Sequence, residues 1–272
     1  MYPVLFKLST PFGELPLYSY SVMVVVAFLA ALAYTCFEAR REGENLDRVV
    51  DLSFWIFLFS ILGARTLHVL VEWRSFVGHP LDIFKIWQGG LAYYGGFFAA
   101  ILACLVFIRY HRLPLAKWTD LLAPVAVIDI GFGRIGCLLN GCCYGRPAPN
   151  LPWAITYPAG RLPLALDGIP LHPAPIYESL VGFLLLGYLV WLQRRPHRPG
   201  QVVWTMVFGY AVARFIIEYF RADPRGGLSR LGLAFSTSQL IAIPLALLSL
   251  LALVWIFLRP APSRPDSELH PN

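Results

Sequence analysis

Apolar runs about twenty residues long recur along this chain, separated by short polar segments. Within each run the apolar residues are continuous rather than alternating one by one. A hydrocarbon core of roughly 30 Å needs about 20 such residues in a helix, whereas a barrel strand would alternate with period two. The pattern predicts seven membrane-spanning helices, at 17–37, 49–71, 90–108, 119–139, 174–192, 201–220 and 236–258. The expected class is therefore an all-α polytopic integral membrane protein. A longer loop, 141–173, joins the fourth and fifth spans. The first run carries its basic cluster, EARREGENLDR, after the apolar stretch, the reverse of a secretory leader, so it is expected to stay as a span. Residues 1–260 are expected to form one transmembrane domain, followed by a polar, Pro-rich, disordered tail at 261–272.

Composition sharpens this picture. Only 14% of the 272 residues are charged and 57% are apolar, against about 25% charged in a soluble domain. Lys and Arg are denser in one set of loops, which hold Arg40, Arg41 and Arg48, then Arg109, Arg112 and Lys117, then Arg194, Arg195 and Arg198. By the positive-inside rule those loops face the cytoplasm. The N-terminus and the 141–173 loop then lie outside, and the C-terminus inside. The net charge of +6 is spread along both interfaces, which suits an anionic lipid surface and not nucleic acid.

Several polar groups sit where a bilayer should not tolerate them. An arginine at the centre of a span costs roughly 2.5–3.5 kcal/mol, so it persists only near an interface, paired or used. Arg65 is read either as snorkelling at the outer end of its helix or as a contributor to a cationic pocket. Arg214 and Glu218, four residues apart, share one helical face and can pair. Arg134 and Glu178 add further buried charge, with Glu178 and Tyr177 expected in a first helical turn that prolines start and where the helix dipole favours an acid. Guanidinium matches phosphate oxygens by its fork geometry. Arg134 and Arg214 together therefore point to a phosphate-bearing lipid head.

The run GRIGCLLNGCCYGRP, residues 133–147, concentrates this chemistry. Gly133 and Gly136 suit close helix packing, while Gly141 and Gly145 belong to a segment that leaves the helix. Cys137, Cys142 and Cys143 read C-x4-C-C, which lacks the paired spacing and fourth ligand of a zinc site. They are open to structural, disulfide or cavity-lining roles first, with metal binding and a nucleophilic role as the remaining readings; no metal or cofactor is expected. A second run, WQGGLAYYGGFF at 87–98, places Gly89 and Gly90 before Tyr93 and Tyr94 and reads as a glycine-rich interfacial hinge with aromatic belt residues.

Taken together, GRIGCLLNGCCYGRP, IWQGGLAYYGG, HPAPIYE, GYAVARFIIEYFR and SQLIAIP resemble the prolipoprotein diacylglyceryl transferases of bacterial inner membranes, over nearly the whole chain. The resemblance implies transfer of the diacylglyceryl group of phosphatidylglycerol to the lipobox cysteine thiol of a preprolipoprotein. A thioether forms and glycerol phosphate leaves. The partners implied are phosphatidylglycerol, preprolipoprotein signal peptides and the lipid bilayer. The resemblance also implies catalytic roles for Arg134, Arg214, Glu218, Tyr20 and Tyr94. Asn140, Gly145, Arg146, Tyr177, Glu178, Tyr210, Gly89, Gly90, Cys137 and Cys142 are the implied substrate contacts beside Arg134. The chain departs from the family where Tyr94 replaces a common His, Cys137 a common Asn and Cys142 a common Glu. A phenol with a pKa of about 10 is a poor base at neutral pH, so Glu178, Glu218 and the leaving phosphate stay open as acceptors of the thiol proton. A divergent paralogue with another acceptor, and a non-catalytic lipid or peptide binder, remain the competing readings.

Overall fold

The computed structural model describes residues 2–10, 13–86, 89–158, 160, 162–222 and 235–259. The expected tail at 261–272 lies outside them. A short antiparallel hairpin comes first, β1 (Val4–Thr10) and β2 (Gly13–Tyr18), with Leu8 opposite Leu15 and Lys7 opposite Pro16. The apolar-run pattern did not predict it, because each strand is short and half polar.

Long helices follow: α1 (Ser19–Arg41), α2 (Leu46–Val71), the short α3 (Trp73–Phe76), α4 (Tyr93–Tyr110), α5 (Leu115–Asn140), α6 (Ala174–Gln193), α7 (Gln201–Ile217) and α8 (Thr237–Leu258). Seven helical segments among the described residues are long and apolar enough to cross a membrane, with α7 counted through Phe220. Each overlaps one predicted span. The differences lie at the ends. Charged residues such as Glu38, Arg40 and Arg41 prolong α1, since a helix continues past the apolar stretch that marks its membrane segment.

The chain divides into two compact units, Leu32–Leu121 and the combination of Met1–Ala31 with Leu122–Asn272. In the first unit α2 packs on α4, where Gly63 faces Gly95 and Ala99 with no room for a side chain. Lys117 Nζ pairs with Glu44 2.6 Å away, which ties the start of α5 to the turn before α2. Asn45 caps α2 by accepting from the backbone N–H of Asp47 and Arg48.

Arg65 belongs to this unit and is buried. Its guanidinium donates to the carbonyls of Ile83 (2.8 Å), Gly89 (2.8 Å), Gly90 (3.0 Å) and Asp82. It does not snorkel. Five N–H donors in a fixed fork satisfy four carbonyls of the loop before α4.

In the second unit Ala123 and Val127 of α5, Leu189 and Leu192 of α6 and Val202 of α7 form a buried core. The loop after α5 has a small core of its own, made of Tyr144, Tyr157, Leu162 and Leu171. Ser236 and Gln239 cap α8 reciprocally, with Gln239 N–H to Ser236 Oγ at 3.2 Å and Ser236 N–H to Gln239 Oε1 at 3.1 Å.

Candidate active site

Small residues set the geometry. Gly131 of α5 lies against Gly182 and Phe183 of α6, and Ser179 Oγ donates to the Gly131 carbonyl at 2.8 Å. This close crossing brings Arg134, one turn beyond Gly131, to face Glu178. Arg134 Nε lies 2.8 Å from Glu178 Oε2. Glu178 is 1% exposed and also pairs with Arg221, itself 4% exposed.

The expected placement of Glu178 is thus corrected. Helix α6 begins at Ala174, so Glu178 stands in the second turn with no acid in the first. Two guanidiniums, not the helix dipole, hold its charge. Arg221 closes the motif GYAVARFIIEYFR, but nothing in the chain signalled its pairing with Glu178, 43 residues earlier.

The expected intrahelical pair is present. Arg214 Nη2 lies 2.6 Å from Glu218 Oε2 and donates to Ser238 Oγ of α8 at 3.0 Å. Glu218 begins a 3-10 turn after α7 and keeps the contact. Arg214 Nη1 is buried with no hydrogen-bond acceptor among the described residues. Tyr210, one turn back on α7, lies within electrostatic reach of Glu178, Arg134 and Arg214. The two arginines therefore share a neighbour. Three guanidiniums, Arg134, Arg214 and Arg221, are thus braced by two carboxylates, Glu178 and Glu218.

The glycine-rich run ends α5 by chemistry visible in the backbone. Gly141 is left-handed, with φ 78°. Its N–H donates to Leu138 O at 3.2 Å and the Cys142 N–H to Cys137 O at 3.0 Å, the two bonds of a Schellman cap. Cys143 follows at φ 61°, uncommon for a residue with a Cβ. This fold-back gathers the sulfurs of Cys137, Cys142 and Cys143 within 4.8 Å of one another. Arg134 Nη1 donates to Cys143 Sγ at 3.5 Å and more weakly to Cys137 Sγ at 3.9 Å. All five cysteines are free thiols. Hydrogen bonds from Cys137 and Cys142, then the charges of Arg134 and Arg221, push the Cys143 thiol down against the effect of burial. Burial, with Cys142 and Cys143 close by, pushes the Tyr157 phenol up.

Other expected site residues divide by position. Gly136 lies against Tyr20 and Met23, and Tyr20 is within electrostatic reach of Arg134, Cys137 and Cys142. Gly133 is corrected: nothing among the described residues comes within 4 Å of where its Cβ would stand, so close packing does not account for it. Asn140 ends α5 close to Cys142, whose thiol donates to Cys137 O at 3.5 Å. Gly145 is a crossing point whose Cβ would fall 2.3 Å from His172 O and 2.7 Å from Phe220 O. Arg146 holds the same crossing, with its N–H on Phe220 O (2.8 Å) and its Nε on Arg221 O (3.0 Å). The Tyr177 hydroxyl accepts from Trp153 Nε1 at 3.0 Å and meets His172 Nδ1 at 3.1 Å. Gly89, Gly90 and Tyr94 belong to the other unit, where the two glycine carbonyls hold Arg65 and Tyr94 is 63% exposed in the first turn of α4.

Seven apolar helices long enough to span a membrane among the described residues, with a carboxylate-braced group of guanidiniums on α5, on α7 and just beyond it, define a polytopic membrane protein. The family described as "Prolipoprotein diacylglyceryl transferase" matches residues 3–255, and the chain belongs to it. It is 35% identical to the phosphatidylglycerol--prolipoprotein diacylglyceryl transferase of Clostridium tetani, over 89% of this chain and 93% of that one. The protein of the same name from Methylibium petroleiphilum is also 35% identical, over 94% and 97%. That from Geobacter sulfurreducens is 35% identical over 91% and 92%.

Proposed function

We infer that this chain transfers the diacylglyceryl group of phosphatidylglycerol to the cysteine thiol of a prolipoprotein, the first step of lipoprotein maturation. Membership of the family gives the reaction. The observation that carries it for this chain is the pair formed by half-buried Arg134 and buried Arg214. Each is braced by a carboxylate, both border Tyr210, and Arg214 keeps a buried donor without an acceptor among the described residues.

In the reaction the thiol sulfur attacks the glyceryl carbon as the carbon–oxygen bond to phosphate breaks. The bonding pair leaves on the phosphate oxygen, so a second negative charge grows there. Fixed guanidiniums in a water-poor site stabilise charge that develops in the transition state without reorganising. Glu178 and Glu218 orient the two arginines, Arg221 steadies Glu178, and Tyr210 positions Arg134. Asn140 and Gly145 shape the segment over the phosphate, with Tyr20 on the facing helix. The enzyme functions in the bacterial inner membrane with its N-terminus and the 141–173 loop outside, because the denser Lys and Arg loops favour the cytoplasm.

The test is transfer of glyceride label from phosphatidylglycerol to a lipobox peptide by purified protein in lipid nanodiscs. The expected result is a labelled thioether that is lost with Arg214→Lys. Folded protein that binds the lipid and labels no peptide would leave a binder in place of an enzyme.

A further inference from the structure

We propose that Cys137, Cys142 and Cys143 form a site for a thiophilic d10 metal ion, Zn2+ first among them, whose open fourth position takes the acceptor's cysteine thiol. The assignment of that fourth ligand rests on the transferase reading given above; the metal site itself does not.

Three sulfurs already lie within 4.8 Å of one another. Zinc–sulfur bonds near 2.3 Å need tetrahedral sulfurs about 3.8 Å apart, so the site closes with side-chain adjustment alone. The convergence carries backbone strain, since Cys143 holds φ 61° two residues after the left-handed Gly141. An odd number of sulfurs does not fit a disulfide, which would leave the third thiol over. The surroundings suit thiolates. Arg134 Nη1 donates to two of the sulfurs, and a zinc tris-thiolate carries one net negative charge that this guanidinium offsets. Independently, the Tyr157 hydroxyl is buried with no hydrogen-bond partner among the described residues, and it interacts electrostatically with Cys142 and Cys143. It is a donor suited to a sulfur or to a fourth ligand.

The chemistry this supplies is the one the reaction needs. A thiol that coordinates such an ion is deprotonated outright, so no protein base is required where Tyr94 replaces the family's common His. On loading, three cysteine protons go to solvent, and the acceptor thiol loses its own on binding. The metal-bound sulfur then forms the bond to the glyceryl carbon, and the carbon–oxygen bond breaks with its pair leaving on phosphate. The thioether, a neutral and weaker ligand, dissociates. The metal keeps its oxidation state throughout.

The experiment uses purified wild-type protein, reduced and anaerobic in detergent, titrated with Co2+. One equivalent should give tetrahedral d–d absorption with sulfur-to-cobalt charge transfer, displaced by Zn2+ and absent in Cys142→Ser. Adding a lipobox peptide should shift the d–d bands, and the same peptide with Ser for Cys should not. Removing metal with a chelator should cut glyceride transfer about 100-fold, the lower range for assisted proton removal, and Zn2+ should restore it. Wild-type protein with three titratable thiols and no sulfur–cobalt band overturns the site. So does a bound-zinc content unchanged in the triple Ser variant. Metal-free protein that transfers glyceride at the full rate overturns the metal's role and leaves the transferase reading standing. Metal bound with the expected bands but no transfer by loaded protein sinks the transferase reading instead.

Discussion

Replacing Glu178 by Gln isolates the charge on which the site is built. The carboxylate is 1% exposed, 2.8 Å from Arg134 Nε and in direct contact with Arg221. Gln keeps its shape and leaves buried Arg221 and half-buried Arg134 without the counter-charge they share. Removing one partner of a buried ion pair costs about 3–5 kcal/mol, whereas exposed pairs are worth about 0–1 kcal/mol. Unit charges about 4 Å apart interact by about 4 kcal/mol at an effective dielectric of 20, the same size. The assay is reversible denaturant unfolding in mixed micelles, with glyceride transfer measured on the same preparation. We expect Glu178→Gln to lose about 3–5 kcal/mol and, with Arg134 no longer oriented, about 100-fold in transfer rate. Combining it with Arg221→Gln should recover part of the stability, giving a coupling energy of about 1–3 kcal/mol, but not the activity. A single substitution within about 0.5 kcal/mol of wild type, with no coupling, would refute the Arg134–Glu178–Arg221 network, since that is the size of an ordinary surface change.

Three further outcomes follow from particular contacts. Gly145→Ala places a Cβ against the backbone carbonyls of His172 and Phe220 and should cost about 1–3 kcal/mol, read by thermal unfolding. Arg65→Lys replaces a planar fork on four carbonyls with a point charge, and should destabilise by about 1–3 kcal/mol, with faster proteolysis before α4. Ser236→Ala removes one half of the capping box of α8 and should cost about 1 kcal/mol, visible as faster hydrogen exchange confined to the first turn of α8.

The chain itself disclosed what depends on local pattern. Apolar runs revealed the spans because hydrocarbon demands them, and the i, i+4 spacing revealed Arg214 with Glu218 because both stand on one helix. What depended on chain reversal stayed hidden. Arg221 meets Glu178 only because the Gly145–His172–Phe220 crossing returns the end of α7 to the start of α6. The C-x4-C-C spacing looks unsuited to a shared ligand until Gly141 and Cys143 take positive φ and turn the sulfurs inward. Arg65 read as an interfacial side chain because its acceptors are backbone carbonyls, which leave no mark on side-chain identity. The β1–β2 hairpin escaped notice because its strands are half polar and carry Pro16 opposite Lys7.

The most direct test of the account is the position of the lipid phosphorus in a structure of the protein loaded with phosphatidylglycerol. Its oxygens should lie within charge-assisted hydrogen-bond distance, about 2.7–2.9 Å, of both Arg134 and Arg214, with Glu178 and Glu218 still paired behind them. A phosphate held by other cations, with Arg214 Nη1 directed elsewhere, would contradict it.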